Sequence, residues 1–378
     1  MYDWANSAFA TSGAAAIFPV YFVVIFTDAM GPEAYLFGMK FTGSSLWSLG
    51  AAISTAIVAL STPLLGIIAD RVPIKKLFLW IYTIVGSLFT VLAFFSAYTA
   101  HPWAWMFGTF LLANIGFAGC LVFYNSLLTH VSPRHLLDDV SSRGFAYGYI
   151  GGGLLLMVHL ALNIVAQQSA ALDVDFVTRA SIASIGFWWF GWGIWTMLIV
   201  PEPPIHNRVQ GLKITNSIQM SFGVLMQTFR EITKFKVLVI YLGAYLLFND
   251  GIQTIMAIAG AFAADTLDIP LAFNMMTILI IQFVAAGGAM GFSWLSDRTE
   301  TKTALVIALA GWSFIVLFGV ALTPLEPNVH SKFGYQLTYE SNSDLYIVRA
   351  IPELRDSVLD DSWVEEIGSI SEGQRLSY

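Results

Sequence analysis

Of the 378 residues, 57% are hydrophobic and only 11% are charged, against a charged share of about 25% in soluble domains. So much apolar surface excludes a water-soluble globular fold and makes the bilayer the solvent for most of the chain. The formal charge of −7 is concentrated at one end: residues 1–323 hold 14 Lys and Arg against 15 Asp and Glu, whereas residues 324–378 hold 4 against 10. Such a balance gives no basic surface for nucleic acid.

A spanning helix needs about 20 mostly apolar residues. Nine runs meet that length: 4–27, 43–68, 77–98, 103–128, 144–166, 180–200, 237–263, 271–294 and 303–323. They are too long, and too poor in alternation, for barrel strands. The first run exceeds the apolar core of a secretory leader, about 7–15 residues, and follows no basic segment, so it reads as a span. Pro19 within it predicts a kink, with the freed backbone group satisfied by neighbouring helices or polar side chains.

The loops after the second, fourth, sixth and eighth runs carry twelve basic residues, from Arg71, Lys75 and Lys76 to Arg298 and Lys302. The alternate loops carry only Lys40 and Arg179. By the positive-inside rule the N-terminus and the basic loops face the cytoplasm. Residues 1–200 then form a six-helix half. The connection 201–236 opens with Pro201-Glu202-Pro203-Pro204 and carries Ile218, Phe222, Leu225, Met226 and Phe229 at helical spacing, the pattern of an amphipathic helix on a membrane surface. Residues 237–323 supply three more spans. Residues 324–378, polar and acidic, are read as a non-membrane tail arising from truncation or a frame shift, with a genuine appended tail as the rival reading.

Features of the first half recur in the second. The second run ends in Gly66-Ile67-Ile68-Ala69-Asp70-Arg71 with Lys75 four residues on; the eighth ends near Gly291, with Asp297-Arg298 and then Lys302. Weak internal repetition is a mark of transporters built from repeats. The Gly66 to Arg71 loop resembles the cytoplasmic signature of major facilitator transporters, with Pro73 and Ile74 departing from it. The opening Tyr2-Asp3-Trp4-Ala5-Asn6-Ser7-Ala8-Phe9 resembles the first-helix signature of the vacuole effluxer branch, the autophagy-related protein 22-like transporters and their bacterial relatives. Phe145 to Gly153, Val200 to Pro203 and Phe248-Asn249-Asp250-Gly251-Ile252-Gln253 are similar too. The resemblance covers residues 1–323. It implies an all-α major facilitator fold with about nine of twelve helices present, a solute site at the midplane between halves, and alternating access.

Charges and amides within spans are costly and mark solute or proton pathways by default. Asp250, with Asn249 beside it and Gln253 one turn on, stands about mid-membrane as a solute or proton group; the bland alternative is that it caps a break at Gly251. Asp3 and Asn6 share a helix face and either line the cavity or cap the first turn. His159 and Asn163, one turn apart, either relay protons or bond a neighbouring helix. Asn114, Tyr124 and Gln282 suit interhelical glue. Asp70, Arg71, Lys75, Asp297 and Arg298 read as gating residues. No metal-ligand spacing, cofactor motif or P-loop is present. The best functional reading is a non-enzymatic secondary transporter of a small polar solute, an amino acid for example, with protons as a candidate coupling ion, in the cell membrane or, in a eukaryote, the vacuole. The alternatives are a non-transporting remnant or scaffold and, for the cluster His130, Arg134, His135, Asp138 and Asp139, a membrane-embedded enzyme.

Overall fold

The computed structural model describes residues 1–36, 38–133, 137–169, 171–204, 214–265, 269–299, 301–322, 331–332, 335–340 and 345–350. Among them are nine helices long and apolar enough to cross a membrane, one for each predicted run. They are α1 (Tyr2–Met30), α2 (Gly43–Ala69), α3 (Lys75–Leu92, continued as a tighter turn over Ala93–Tyr98), α4 (Pro102–Val131), α5 (Leu137–Gln168), α6 (Val174–Ile199), α8 (Lys236–Asp265), α9 (Leu271–Arg298) and α10 (Thr301–Leu322). A further helix, α7 (Ile214–Ile232), lies in the connection. The chain is a multi-pass α-helical membrane protein. Side chains such as Leu60, Val237 and Leu247, about four-fifths exposed, find their solvent in lipid.

Two compact units arise, residues 1–291 and 292–378. In the first, α1 is the innermost helix: 72% of its most apolar stretch is buried, against 44% at most in any other span. It packs on α5 and α6, while α3 packs on α4 and α6, and α2 on α4. The core is aromatic. Phe18 and Phe22 of α1 meet Trp47 of α2, which stacks on Phe110 of α4, and Phe9 lies against Trp189 of α6.

The centre of α1, Phe9–Ile17, is a π-helix. Pro19 explains it. The ring has no N–H and would strike the carbonyl four residues back; widening the coil to five-residue spacing relieves that clash, and the Phe18 N–H bonds Gly13, five back. Gly31, at φ +83°, ends the helix.

Local signals set the other ends. Thr42 and Ser45 form a capping box for α2, and the Asp173 side chain caps α6. The Glu202 carboxylate accepts the backbone N–H groups of Lys75 (2.7 Å) and Lys76 (2.9 Å) at the start of α3. Three features were not foreseen. A hairpin, β1 (Ala34–Leu36) with β2 (Met39–Phe41), follows α1. In the second unit, strands β3 (Ser331–Lys332), β4 (Tyr335–Glu340) and β5 (Leu345–Ala350) form an antiparallel sheet. Arg179, assigned from sequence to a loop, instead sits in α6, which begins six residues before the predicted run, and is only 5% exposed.

Helices α3 and α4 approach backbone to backbone. A Cβ on Gly116 would strike the backbone of Gly86, and one on Gly86 the ring of Trp189. Gly116→Val is expected to cost about 2 kcal/mol or more, the scale of overpacking a rigid site. It should lower the midpoint of thermal unfolding in detergent. Gly108→Val, at a position where an added Cβ meets nothing within 4 Å, should leave that midpoint in place.

Candidate functional site

The opening signature ties α1 to three other helices. The Tyr2 hydroxyl shares a hydrogen bond of 2.6 Å with Thr83 of α3, and its ring stacks on Tyr124 of α4. The Tyr124 hydroxyl in turn donates to the Asp3 carboxylate at 2.5 Å. Trp4 stacks on Trp188 of α6, whose indole N–H donates to the Trp4 carbonyl.

The polar face of α1 lies in a groove of glycines. Asp3, Ser7 and Thr11, spaced by four, oppose Gly144, Gly148 and Gly152 of α5, also spaced by four. A Cβ on each glycine would fall 2.5 Å from the Asp3 carboxylate, 2.5 Å from the Ser7 hydroxyl and 2.8 Å from the Thr11 hydroxyl. Any larger residue on that face of α5 would displace the polar groups. Beside Asp3 opens a recess of about 110 Å³, lined by Tyr124, Asn125, Ser141, Phe145 and Thr196 among others. The Thr196 hydroxyl is buried with no hydrogen-bond partner. Polar groups over apolar walls are the general make-up of small-molecule sites.

The remaining predicted residues fall in separate places. Asn6 is 3% exposed in the core of the first unit. His159, 1% exposed, pairs through Nε2 with the Ser184 hydroxyl of α6 at 2.7 Å, leaving Nδ1 buried and unpartnered. Asn163 accepts from Gln167 at 2.7 Å. Asn249 is half-buried, while Asp250 and Gln253 lie on the exposed surface of α8. Lys75 pairs with Asp70 at 2.8 Å beside a second recess that His130 and Glu202 also line. Arg298 stands over the Trp294 ring at 4.3 Å. The Asp297 side chain, Arg134, His135 and the side chains of Asp138 and Asp139 lie outside the described residues.

Two predicted glue residues join helices: Asn114 donates to Ser54 at 2.6 Å and Gln282 to Thr11 at 3.3 Å. Missed from sequence was a network at the other end of the first six helices. Asp175 accepts from Tyr21 (2.6 Å) and pairs with Arg179 (2.7 Å), whose guanidinium also donates to the Phe94 carbonyl and faces the rings of Phe94 and Tyr98. The one signal in sequence was the four-residue spacing of Asp175 and Arg179. Outside the spans, the Glu33 carboxylate raises the pKa of the Lys40 ammonium across the hairpin. Among the described residues no cluster of His, Cys, Asp or Glu is arranged to hold a metal.

A sequence model described as vacuole effluxer Atg22 like matches residues 1–342. The chain belongs to this family. An uncharacterised MFS-type transporter of Bacillus subtilis, YxiO, is 28% identical over 84% of this chain and 71% of its own. Autophagy-related protein 22-1 of Penicillium rubens is 26% identical over 49% of this chain, which spans 32% of that relative. The Neosartorya fischeri protein of the same name is 31% identical over 42% of this chain and 26% of its own. Among solved structures, a point mutant of the nucleoside transporter NupG aligns over 82% of this chain and 71% of its own, at 15% identity and a TM-score of 0.45. Membership makes the chain one of a family of membrane transporters.

The contact between Asp3 and Tyr124 can be weighed by a double-mutant cycle on thermal stability. Removing either partner strands the other, so Asp3→Asn with Tyr124→Phe should cost less than the sum of the single changes, by about 1 kcal/mol or more. Strictly additive losses would show the two groups to be energetically independent.

Proposed function

We propose that the protein is a secondary carrier that moves a small polar solute, such as an amino acid, by alternating access coupled to protons. The observation that carries this reading is Asp3, an acid in the first turn of a spanning helix, held by Tyr124 and lining a recess with mainly apolar walls. Ionisable residues within spanning helices are rare and by default mark a solute or proton path. Asp3 and Asn6, with His159 and Asn163, would serve the part of the path within the first six helices. Asp250, Asn249 and Gln253 would serve it from α8. Asp250 has no hydrogen bond or ion pair to another described residue, which leaves it free for a proton or a solute.

The gating role falls to the loops. Lys75 and Asp70 form a pair, and Glu202 holds the start of α3 to the end of α6. Arg71, Asp297 and Arg298 would complete the set. The charge of the loops puts these residues and the N-terminus in the cytoplasm, and the cell membrane is the proposed location, or the vacuolar membrane if the source is a eukaryote.

Uptake of a panel of amino acids into proteoliposomes, with and without a pH gradient, tests the proposal. Gradient-driven uptake is expected in the parent. In Asp3→Asn and Asp250→Asn it should fall about tenfold or more, a barrier change of about 1.4 kcal/mol, while solute counterflow without a gradient persists. Uptake indifferent to the gradient and to both changes would remove proton coupling. A folded parent that moves no solute on a broad panel would remove the carrier reading itself.

A further inference from the structure

We infer that Asn274 is the latch that closes one end of the solute path, by holding a backbone carbonyl at the junction of π- and α-helix in α1. The inference rests on the carrier reading above, because a latch has meaning only if the path opens and closes.

The passage from five-residue to four-residue spacing at a proline leaves carbonyls near it short of donors. A bilayer provides no water to replace them. The Asn274 amide of α9 donates to the Ala16 carbonyl at 2.9 Å, and Asn274 is 6% exposed. Next to it, α8 lays Gly260 on the same stretch, where a Cβ would come 2.5 Å from the Ala15 carbonyl and 2.9 Å from the Pro19 ring. Ala16 and Ala261 are fully buried and Met275 is 1% exposed, so the contact is dry.

This contact joins α1 to α8 and α9, helices on opposite sides of the long connection at 201–236, which alternating access would have to part. On the later helices it sits toward one end, Gly260 five residues before α8 stops at Asp265 and Asn274 three residues after α9 starts at Leu271, while Ala16 is at the middle of α1. By loop charge that end is non-cytoplasmic. One neutral amide on one carbonyl is a bond weak enough to break in each cycle. Asn274 is thus a positioning residue that sets the balance between closed and open states and does not touch the solute.

The chain has a single cysteine, Cys120, fully buried, so Cys120→Ser gives a clean background for a reporter. Ala261→Cys in that background, in lipid nanodiscs open on both faces, is treated with a polar maleimide. Labelling should be slow in this parent and roughly three- to twentyfold faster in Asn274→Ala, the range that interhelical hydrogen bonds of this class span. Asn274→Leu keeps about the same shape, has no donor and should label as fast. Gly260→Ala, which wedges the same contact from α8, should do so independently. Equal rates in all four proteins, each monodisperse on size exclusion, would overturn the latch. Fast labelling in Asn274→Ala with parental rates in Asn274→Leu would overturn the hydrogen bond as its cause. If labelling responds as expected but no solute moves, the carrier reading fails and the contact remains; if solute moves and labelling is indifferent, the latch alone fails.

Discussion

Pro19 removes a hydrogen-bond donor from the most buried helix of a protein whose surroundings contain no water to replace it. The consequences spread outward from that residue. The coil widens over Phe9–Ile17, and the Ala16 carbonyl turns to Asn274 of α9. Gly260 of α8 is pressed against the Ala15 carbonyl, at a distance where any larger residue would collide. A long π-helix is rare because its geometry is poor, and such segments gather where function needs them. Here the cost is offset by helices from elsewhere in the chain, so the local defect becomes a tertiary joint.

The other half of α1 answers a different constraint. Asp3, Ser7 and Thr11 would be expensive against hydrocarbon, and the four-residue repeat of Gly144, Gly148 and Gly152 gives them a wall of backbone instead. The two repeats stay in step over these three contacts although the coil of α1 widens from Phe9 onward. Glycine is required at these places for room, as each missing side chain is the space a carboxylate or hydroxyl occupies. Tyr124 completes the arrangement by donating to Asp3, and the stacked ring of Tyr2 holds Tyr124 in turn.

The spans were legible because a bilayer reads composition: twenty apolar residues announce a helix whatever they pack against. The strain at Pro19 was legible as well, since the missing N–H is a property of the residue. What packs on what was not. Asp3 and Tyr124 are 121 residues apart, and nothing local pairs them. Arg179 was placed in a loop because a cation was expected outside the apolar run; in the fold its charge is absorbed by Asp175, a carbonyl and two aromatic faces, which lets the helix begin earlier. The hairpin at 34–41 is too short for a periodic signal, and its turn depends on Gly38 at φ +78°. Asp250, the acid that sequence singled out first, lies on an exposed face of α8, whereas Asp3, read from sequence as either a cavity group or a helix cap, has the built surroundings.

The bonds that cross from α1 to the later helices lack the charged members found within the first six. Within them, Trp47 and Phe110 stack at 3.6 Å between ring centroids, Arg179 and Asp175 tie α6 to α1 and to the end of α3, and Glu202 fixes α3 to the end of α6 with two charge-assisted bonds. Such bonds are about twice as strong as neutral ones, and they reinforce one another through shared helices. Across to α8 and α9 the described polar contacts are two neutral amides, Asn274 on a carbonyl and Gln282 on a hydroxyl at 3.3 Å. A polar bond between membrane helices averages about 0.6 kcal/mol, comparable to thermal energy. Strength therefore falls where the first six helices would move together, and weakness falls on the seam that the proposed cycle has to open.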